Sequence, residues 1–211
     1  MTTDKIKTGT TCIGLLFKDG VLLAADRRVT AGYIASDRAE KIYEVSSAIL
    51  ATTAGHAADN QKVMRIIKGE LKLLELRKER TPKVKEAAMI LNSMQYSIIR
   101  TQGGIVSLIL GGYDSKEGFS LYNLSPDGTI LPHDGYVVDG SGSVYIKAIF
   151  DNEYNPNLSR KEALEIVEKA FKTSFMNDNA SGGGFIAKIV TDKGVIETVE
   201  SKILKTEFIK S

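Results

Sequence analysis

Cysteine and histidine are almost missing from this chain. Its 211 residues hold one cysteine, Cys12, and two histidines, His56 and His133. A single thiol cannot close an intramolecular disulfide, so no disulfide framework staples the fold. A lone free thiol suits a reducing compartment, and a cytoplasmic location is expected. One cysteine and two histidines are also too few for a Cys/His zinc site, and no metal is expected. Surplus charge is missing as well. The 28 basic and 26 acidic side chains leave a net charge of +2, too little to draw the chain to nucleic acid or acidic lipid. No run reaches the roughly 18–20 apolar residues of a membrane span. The opening MTTDKIKTG lacks the apolar centre of a secretory signal. No repeat or low-complexity tract is present.

What is there reads as one folded unit. A chain of this length can bury a full core as a single domain. Residues 10–17, TTCIGLLF, are β-branched and apolar and predict a strand. KDG at 18–20 is a turn signal and VLLAA a second strand, which makes a hairpin. KIYEVSSAILATTAG (41–55) predicts two more strands, broken near Ser46-Ser47. From Ala57 the period changes to that of a helix. Val63, Ile66, Ile67, Leu71 and Leu74 fall on one stripe, and Thr81-Pro82 ends it. A second helix carries Ala87, Ile90, Leu91, Met94 and Ile98 and stops at Gly103-Gly104. Strands follow in IVSLILGGYD, GFSLYNLS and YVVDG, with Pro126-Asp127-Gly128 as a turn. Ser159 and Glu162 form a capping-box pair that opens a third helix running to about Phe175. GGFIAKIVTDKGVIETV is a closing hairpin. Segregated antiparallel strands and helices predict an α+β fold, with sheets stacked and helices outside.

Several stretches carry possible chemistry, each with an ordinary structural reading beside it. Gly9-Thr10-Thr11 either enters a strand or marks a cleavage point that frees Thr10 as a new N-terminus. A threonine hydroxyl needs a base, and an N-terminal threonine carries its own. Its α-amine titrates near 7.7–8, so a useful fraction is neutral at pH 7. Asp26 ends the apolar run VLLAA and either makes a structural ion pair or orients a lysine. Lys41 opens a strand and is either solvated or placed to favour proton loss from a nearby hydroxyl. Gly55 is a turn glycine or an N–H donor at a helix start, aimed at a developing oxyanion. DGSGS (139–143) and DNASGGG (178–184) are Gly-Ser loops with a carboxylate. Neither is followed by Gly-Lys-Ser/Thr, so neither is a P-loop. Their hydroxyls could hold an α-amine. The Lys/Arg-rich stretch 62–85 has Glu70, Glu75 and Glu79 interspersed, which marks a solvated, salt-bridged face.

Taken in order, TGTTCIG, GVLLAADRRVTAG, EKIY, TTAGHAAD, DGSGS and DNASGGG closely resemble the β-subunit of the 20S proteasome, most like the archaeal kind. The likeness runs from about Gly9 past residue 190. An α-subunit would carry a helical extension in place of a Thr-led strand, and the bacterial relative fits the third helix and tail less well. The resemblance implies a four-layer αββα sandwich, the N-terminal-nucleophile hydrolase fold. It implies a pro-segment at 1–9, removed by autolysis at Gly9-Thr10, and a single domain from 10 to 211. By position, Thr10 matches the nucleophile and, once freed, its amine the base. Asp26 and Lys41 match the pair that tunes and orients it. Ser141, Asp178 and Ser181 match the groups around the amine, and Gly55 matches the oxyanion donor. Val29, Ala39, Tyr43, Thr53 and Ala57 match the primary pocket. None is charged, so apolar side chains are expected before the cut. Two departures stand out. The loop TAGYIAS is one residue shorter than the usual pattern, so Lys41 is matched through a gap. Cys12 stands where a threonine or similar residue is more usual.

The resemblance also implies partners. These are seven-membered β-rings stacked between α-rings, a regulatory ATPase ring reached through the α-ring, and unfolded polypeptide as substrate. No metal or organic cofactor is implied, and neither nucleic acid nor membrane is a partner. Two other readings keep the same fold. One is a non-catalytic or unprocessed ring subunit that never exposes Thr10. The other is an N-terminal-nucleophile amidase that acts on a small molecule without α-rings.

Overall fold

In the computed structural model, which describes residues 9–55, 57–102 and 106–201, the first expected hairpin is formed by β1 (Cys12–Phe17) and β2 (Gly20–Asp26) around Lys18-Asp19. β2 is buried along its whole length. Leu22 and Ala24 face one core, while Val21, Leu23 and Ala25 face another. A strand covered on both sides needs apolar residues at every position, which is why GVLLAAD shows no alternation.

The remaining strands are β3 (Val29–Thr30), β4 (Ile34–Ser36), β5 (Ile42–Ser46), β6 (Ile49–Gly55), β7 (Val106–Asp114), β8 (Gly118–Leu124), β9 (Ile130–His133), β10 (Tyr136–Asp139), β11 (Phe185–Thr191) and β12 (Gly194–Ser201). They build two five-stranded antiparallel sheets, β10-β1-β2-β11-β12 and β5-β6-β7-β8-β9, and β3 and β4 form a small ribbon. The helices are α1 (Ala57–Lys78), α2 (Val84–Gln102), α3 (Ser143–Glu153) and α4 (Arg160–Asn177). One core lies between the sheets, around Leu23, Leu50 and Ile109. A second joins the first sheet to α3 and α4 through Phe150, Phe171 and Phe185. A third joins the other sheet to α1 and α2 through Ile67, Leu91 and Leu110. The layers are therefore helix, sheet, sheet, helix, as the α+β expectation requires.

Details of the sequence reading need correction. The expected three helices become four among the described residues, because α3 went unread. It starts from Gly142, which supplies no side-chain cap, has no acidic residue in its first turn, and buries only Ile146 and Phe150. On α1, Ile66 is exposed, and the buried stripe is Val63, Met64, Ile67 and Leu71. The capping box of α4 is present in both its hydrogen bonds, between Ser159 and Glu162. The expected stop at Gly103-Gly104 and the side chain of Ile98 lie outside the described residues.

Strand register gathers several chain segments at one end of the sandwich. Cys12 pairs with both Ala25 and Asp139, and Asp26 pairs with Phe185. Lys41 immediately precedes β5, and its carbonyl accepts from Thr53 N–H at 3.3 Å. Thr10, the end of β2, the start of β5 and the loops at 140–142 and 178–184 thus share one rim.

Candidate active site

Thr10 sits on this rim just ahead of β1 and is 4% exposed. Its hydroxyl has two neighbours. It donates to the carbonyl of Gly9 at 2.7 Å and accepts from Lys41 Nζ at 3.2 Å. Its backbone N–H donates to Ser141 Oγ at 3.2 Å. The hydroxyl therefore lies between an ammonium group and the carbonyl of the peptide bond that precedes it.

Lys41 is held by Asp26. Nζ lies 2.7 Å from Asp26 Oδ1, and both side chains are buried. Asp26 occupies the last position of β2, where the chain leaves the sheet and loose N–H groups converge. Oδ1 also accepts from Thr11 N–H at 3.0 Å, and Oδ2 accepts from Arg28 N–H at 3.0 Å and Gly182 N–H at 3.1 Å. Burial pushes the Asp26 carboxyl up, and the Lys41 ammonium and the backbone donors pull against it. Four donors on one carboxylate fix its orientation, and through it the direction of the lysine.

Ser141, Asp178 and Ser181 meet on the other side of Thr10. Asp178 Oδ2 accepts from Ser141 Oγ and from Ser181 Oγ, each at 2.6 Å. Asp178 is the residue at which α4 ends, and its Oδ1 accepts from Ala180 N–H at 3.0 Å. Ser181 is buried, while Ser141 stands on the exposed lip. Six of the seven residues singled out for catalysis are thus joined by hydrogen bonds in two groups that meet at Thr10. Gly55, the seventh, ends β6 with φ of +122°, a conformation that favours glycine, and borders the same cleft.

The cleft beside Thr10 holds about 140 Å³. That is below the roughly 300–1,000 Å³ of most ligand pockets, and it is suited to one side chain. Val29, Ala39, Tyr43 and Thr53 line it. The side chain of Ala57 lies outside the described residues. The sequence reading missed Arg28, Glu40, Asn60 and Gln61, which also border the cleft. Asn60 is 5% exposed, and its Oδ1 is buried without a hydrogen-bond partner among the described residues. It stands one turn before Val63 and Met64 and two turns before Ile67, so it extends the buried stripe of α1 with a polar side chain. That is the signal that could have found it. Cys12 faces the core, with Sγ 3.1 Å from Thr52 Oγ1, and burial pushes its thiol up to about 12. Among the described residues, no cluster of His, Cys, Asp and Glu has the arrangement of a metal site.

Comparison with known proteins identifies a family. The sequence model of the family described as "Proteasome subunit" matches residues 6–190. The chain is 37% identical over 201 residues to the proteasome subunit beta of Ferroglobus placidus, covering 95% of each chain. It is 38% identical over 195 residues to that of Archaeoglobus fulgidus, covering 92% of this chain and 91% of the relative. It is 39% identical over 187 residues to that of Nanoarchaeum equitans, covering 88% of this chain and 95% of the relative.

Proposed function

Because the chain belongs to the proteasome subunit family, we propose that it is a catalytic β-subunit of a core particle and a threonine-type endopeptidase. The observation that carries this reading is the placement of Thr10. Its hydroxyl meets Lys41 while its nitrogen meets Ser141 and, through it, Asp178. A freed N-terminal threonine would have its nucleophile and its base each supported by separate partners.

The first reaction is the chain's own processing. Thr10 Oγ adds to the Gly9 carbonyl carbon, the C–N bond breaks, and the proton passes to the nitrogen that becomes the α-amine. Water then hydrolyses the ester and releases residues 1–9. In the second reaction the amine, half neutral near pH 8, takes the Thr10 hydroxyl proton, directly or through a bridging water. Oγ adds to a substrate carbonyl carbon. The Lys41 ammonium favours the developing alkoxide, and on this reading Gly55 N–H is the donor to the oxyanion. The substrate C–N bond breaks as the leaving nitrogen takes the proton. Water then cleaves the acyl-enzyme, restoring Thr10 and releasing a carboxylic acid. No step uses a metal or organic cofactor.

Substrate side chains before the cut enter the cleft along Val29, Ala39 and Thr53, which favours an apolar stem. Assembly follows the same reading. It comprises seven-membered β-rings against α-rings, with an ATPase ring acting through the α-ring, unfolded polypeptide as substrate and the cytoplasm as location. Val144, Tyr145 and Met176 on α3 and α4 are exposed apolar side chains available to such contacts.

N-terminal sequencing of assembled particles tests the proposal. A start at Thr10, with peptidase activity lost in Thr10→Ala particles of normal mass, is the expected result. Persistence of residues 1–9 in mature particles would instead make the chain a silent ring subunit. Activity that survives Thr10→Ala would assign the chemistry to another subunit. Activity on a small amide from a chain that forms no particle would make it an amidase.

A further inference from the structure

Behind the Thr10 amine lies a row of hydroxyls that the reaction does not touch. Thr11 Oγ1 is 2.8 Å from Ser181 Oγ and 2.6 Å from Ser174 Oγ. Thr11 and Ser174 have no exposed surface, and Ser181 has 1%. Ser174 stands out in its setting. It falls on the buried stripe of α4 with Ile166, Val167, Ala170 and Phe171, where an apolar residue is the ordinary choice.

The protons in this row can be assigned by elimination. An ionised carboxylate only accepts, and a hydroxyl has one proton to give. Ser181 Oγ, 2.6 Å from Asp178 Oδ2, spends its proton there. It must then accept from Thr11 Oγ1. Thr11 has spent its proton in turn and accepts from Ser174 Oγ. On the other side, Ser141 Oγ gives its proton to the same Oδ2 and accepts from Thr10 N–H. Two arms of one sense meet on one oxygen. In such a chain each bond polarises the next. A glycine makes the space: a Cβ at Gly142 would stand 1.9 Å from Thr11 Oγ1 and 2.3 Å from Ser174 Oγ.

We propose that Thr11 and Ser174 are positioning residues for catalysis, which fix Ser181 and Asp178 Oδ2 and thereby hold Ser141 against the α-amine of Thr10. The proposal rests on Thr10 being the nucleophile. If the hydroxyls only filled space, valine and alanine would do so equally well, without desolvating polar groups.

The test uses full particles assembled from chains expressed from Thr10, so that processing does not enter. Thr11→Val keeps the shape and removes the hydroxyl. It is expected to lower kcat about tenfold, with KM within about twofold of wild type, as for loss of one net hydrogen bond. Thr11→Ser, which keeps the hydroxyl, is expected to return kcat to within about twofold. Ser174→Ala removes only the outermost donor and should lower kcat about threefold. Because its proton has no acceptor once Thr11 is valine, the double variant should be no slower than Thr11→Val alone. A wild-type kcat in Thr11→Val, equal losses in Thr11→Val and Thr11→Ser, or additive losses in the double variant would each overturn the proposal. If Thr11→Val particles do not assemble, Ser174→Ala decides, and an unchanged kcat refutes it. Thr10→Ala particles run alongside. Wild-type particles no more active than these would remove the premise and the inference together.

Discussion

Replacing Lys41 by methionine separates what the ammonium does for the fold from what it does for the chemistry. Methionine is also unbranched and apolar, so it fills the space without the charge. The change leaves the Asp26 carboxyl, which is 1% exposed, without its cation. Breaking a buried pair costs about 3–5 kcal/mol. Three backbone N–H donors remain on Asp26, which argues for the low end, about 3 kcal/mol. The deficit should depend on pH in a definite direction. Burial already pushes the Asp26 carboxyl up, and without the ammonium it rises further. A group whose folded pKa lies above its unfolded value supports the fold below the unfolded value, and that support is lost as pH rises through the folded one. The variant should therefore lag furthest at neutral and alkaline pH and recover as pH falls toward about 4, the ordinary range of an aspartate. The chemical effect follows from the 3.2 Å between Nζ and Thr10 Oγ1. At an effective dielectric of about 20, a full charge on that oxygen gains about 5 kcal/mol from the ammonium, and a half-developed one about 2.5. The corresponding fall in kcat/KM lies between about 10² and 10⁴. Particles assembled from chains expressed from Thr10 are assayed with a fluorogenic peptide, and thermal unfolding is followed from about pH 5 to 9. A loss in kcat/KM below about tenfold, or a stability deficit that grows as pH falls, would refute the reasoning.

Three further expectations come from other parts of the site. A Cβ at Gly9 would lie 1.8 Å from that of Ala180, so Gly9→Ala should shift the Gly9 carbonyl and slow release of residues 1–9 about tenfold or more, read by mass over time. Processing at the wild-type rate would show that the segment has room to give. Asn60→Leu removes an Oδ1 that is without a partner among the described residues, from a side chain bordering the cleft. The ratio of cleavage after glutamine to cleavage after leucine should then fall about tenfold, and an unchanged ratio would remove Asn60 from the pocket's selectivity. Burial holds the Cys12 thiol up at about 12, so intact particles should resist iodoacetamide at pH 8 and label fully in denaturant. Rapid labelling of the native form would contradict this burial.

The sequence disclosed most where one local rule decides the structure. The Ser159–Glu162 pair sets the start of α4, and the two-residue turn Lys18-Asp19 sets the first hairpin. β2 could be placed by its unbroken apolar run, although not which of its residues face which core. α3 had no such rule, because its entry rests on the packing of Ile146 and Phe150 rather than on a cap. The site was legible as a set of types in order, but its connections were not. Thr10 and Ser141 are 131 positions apart, and Thr11 and Ser181 are 170 apart. Thr11 reads as part of a strand, and Ser174 falls within the third predicted helix with nothing to single it out. Their roles depend on which loops the two sheets bring together, and no short window contains that information.

The spread of those partners along the chain has a temporal consequence. Thr10 leaves the ribosome early, while Ser141 follows 131 residues later and Asp178 and Ser181 later still, and the loop that closes on Asp26 through Gly182 N–H leads into β11, which pairs with β2. Until then the threonine is an ordinary alcohol on an unfinished polypeptide. On the proposed function, peptidase chemistry would in this way be withheld from the growing chain, and the latency would lie in the order of synthesis. A subunit acting as proposed would gain its reactivity only when it is no longer unfolded itself.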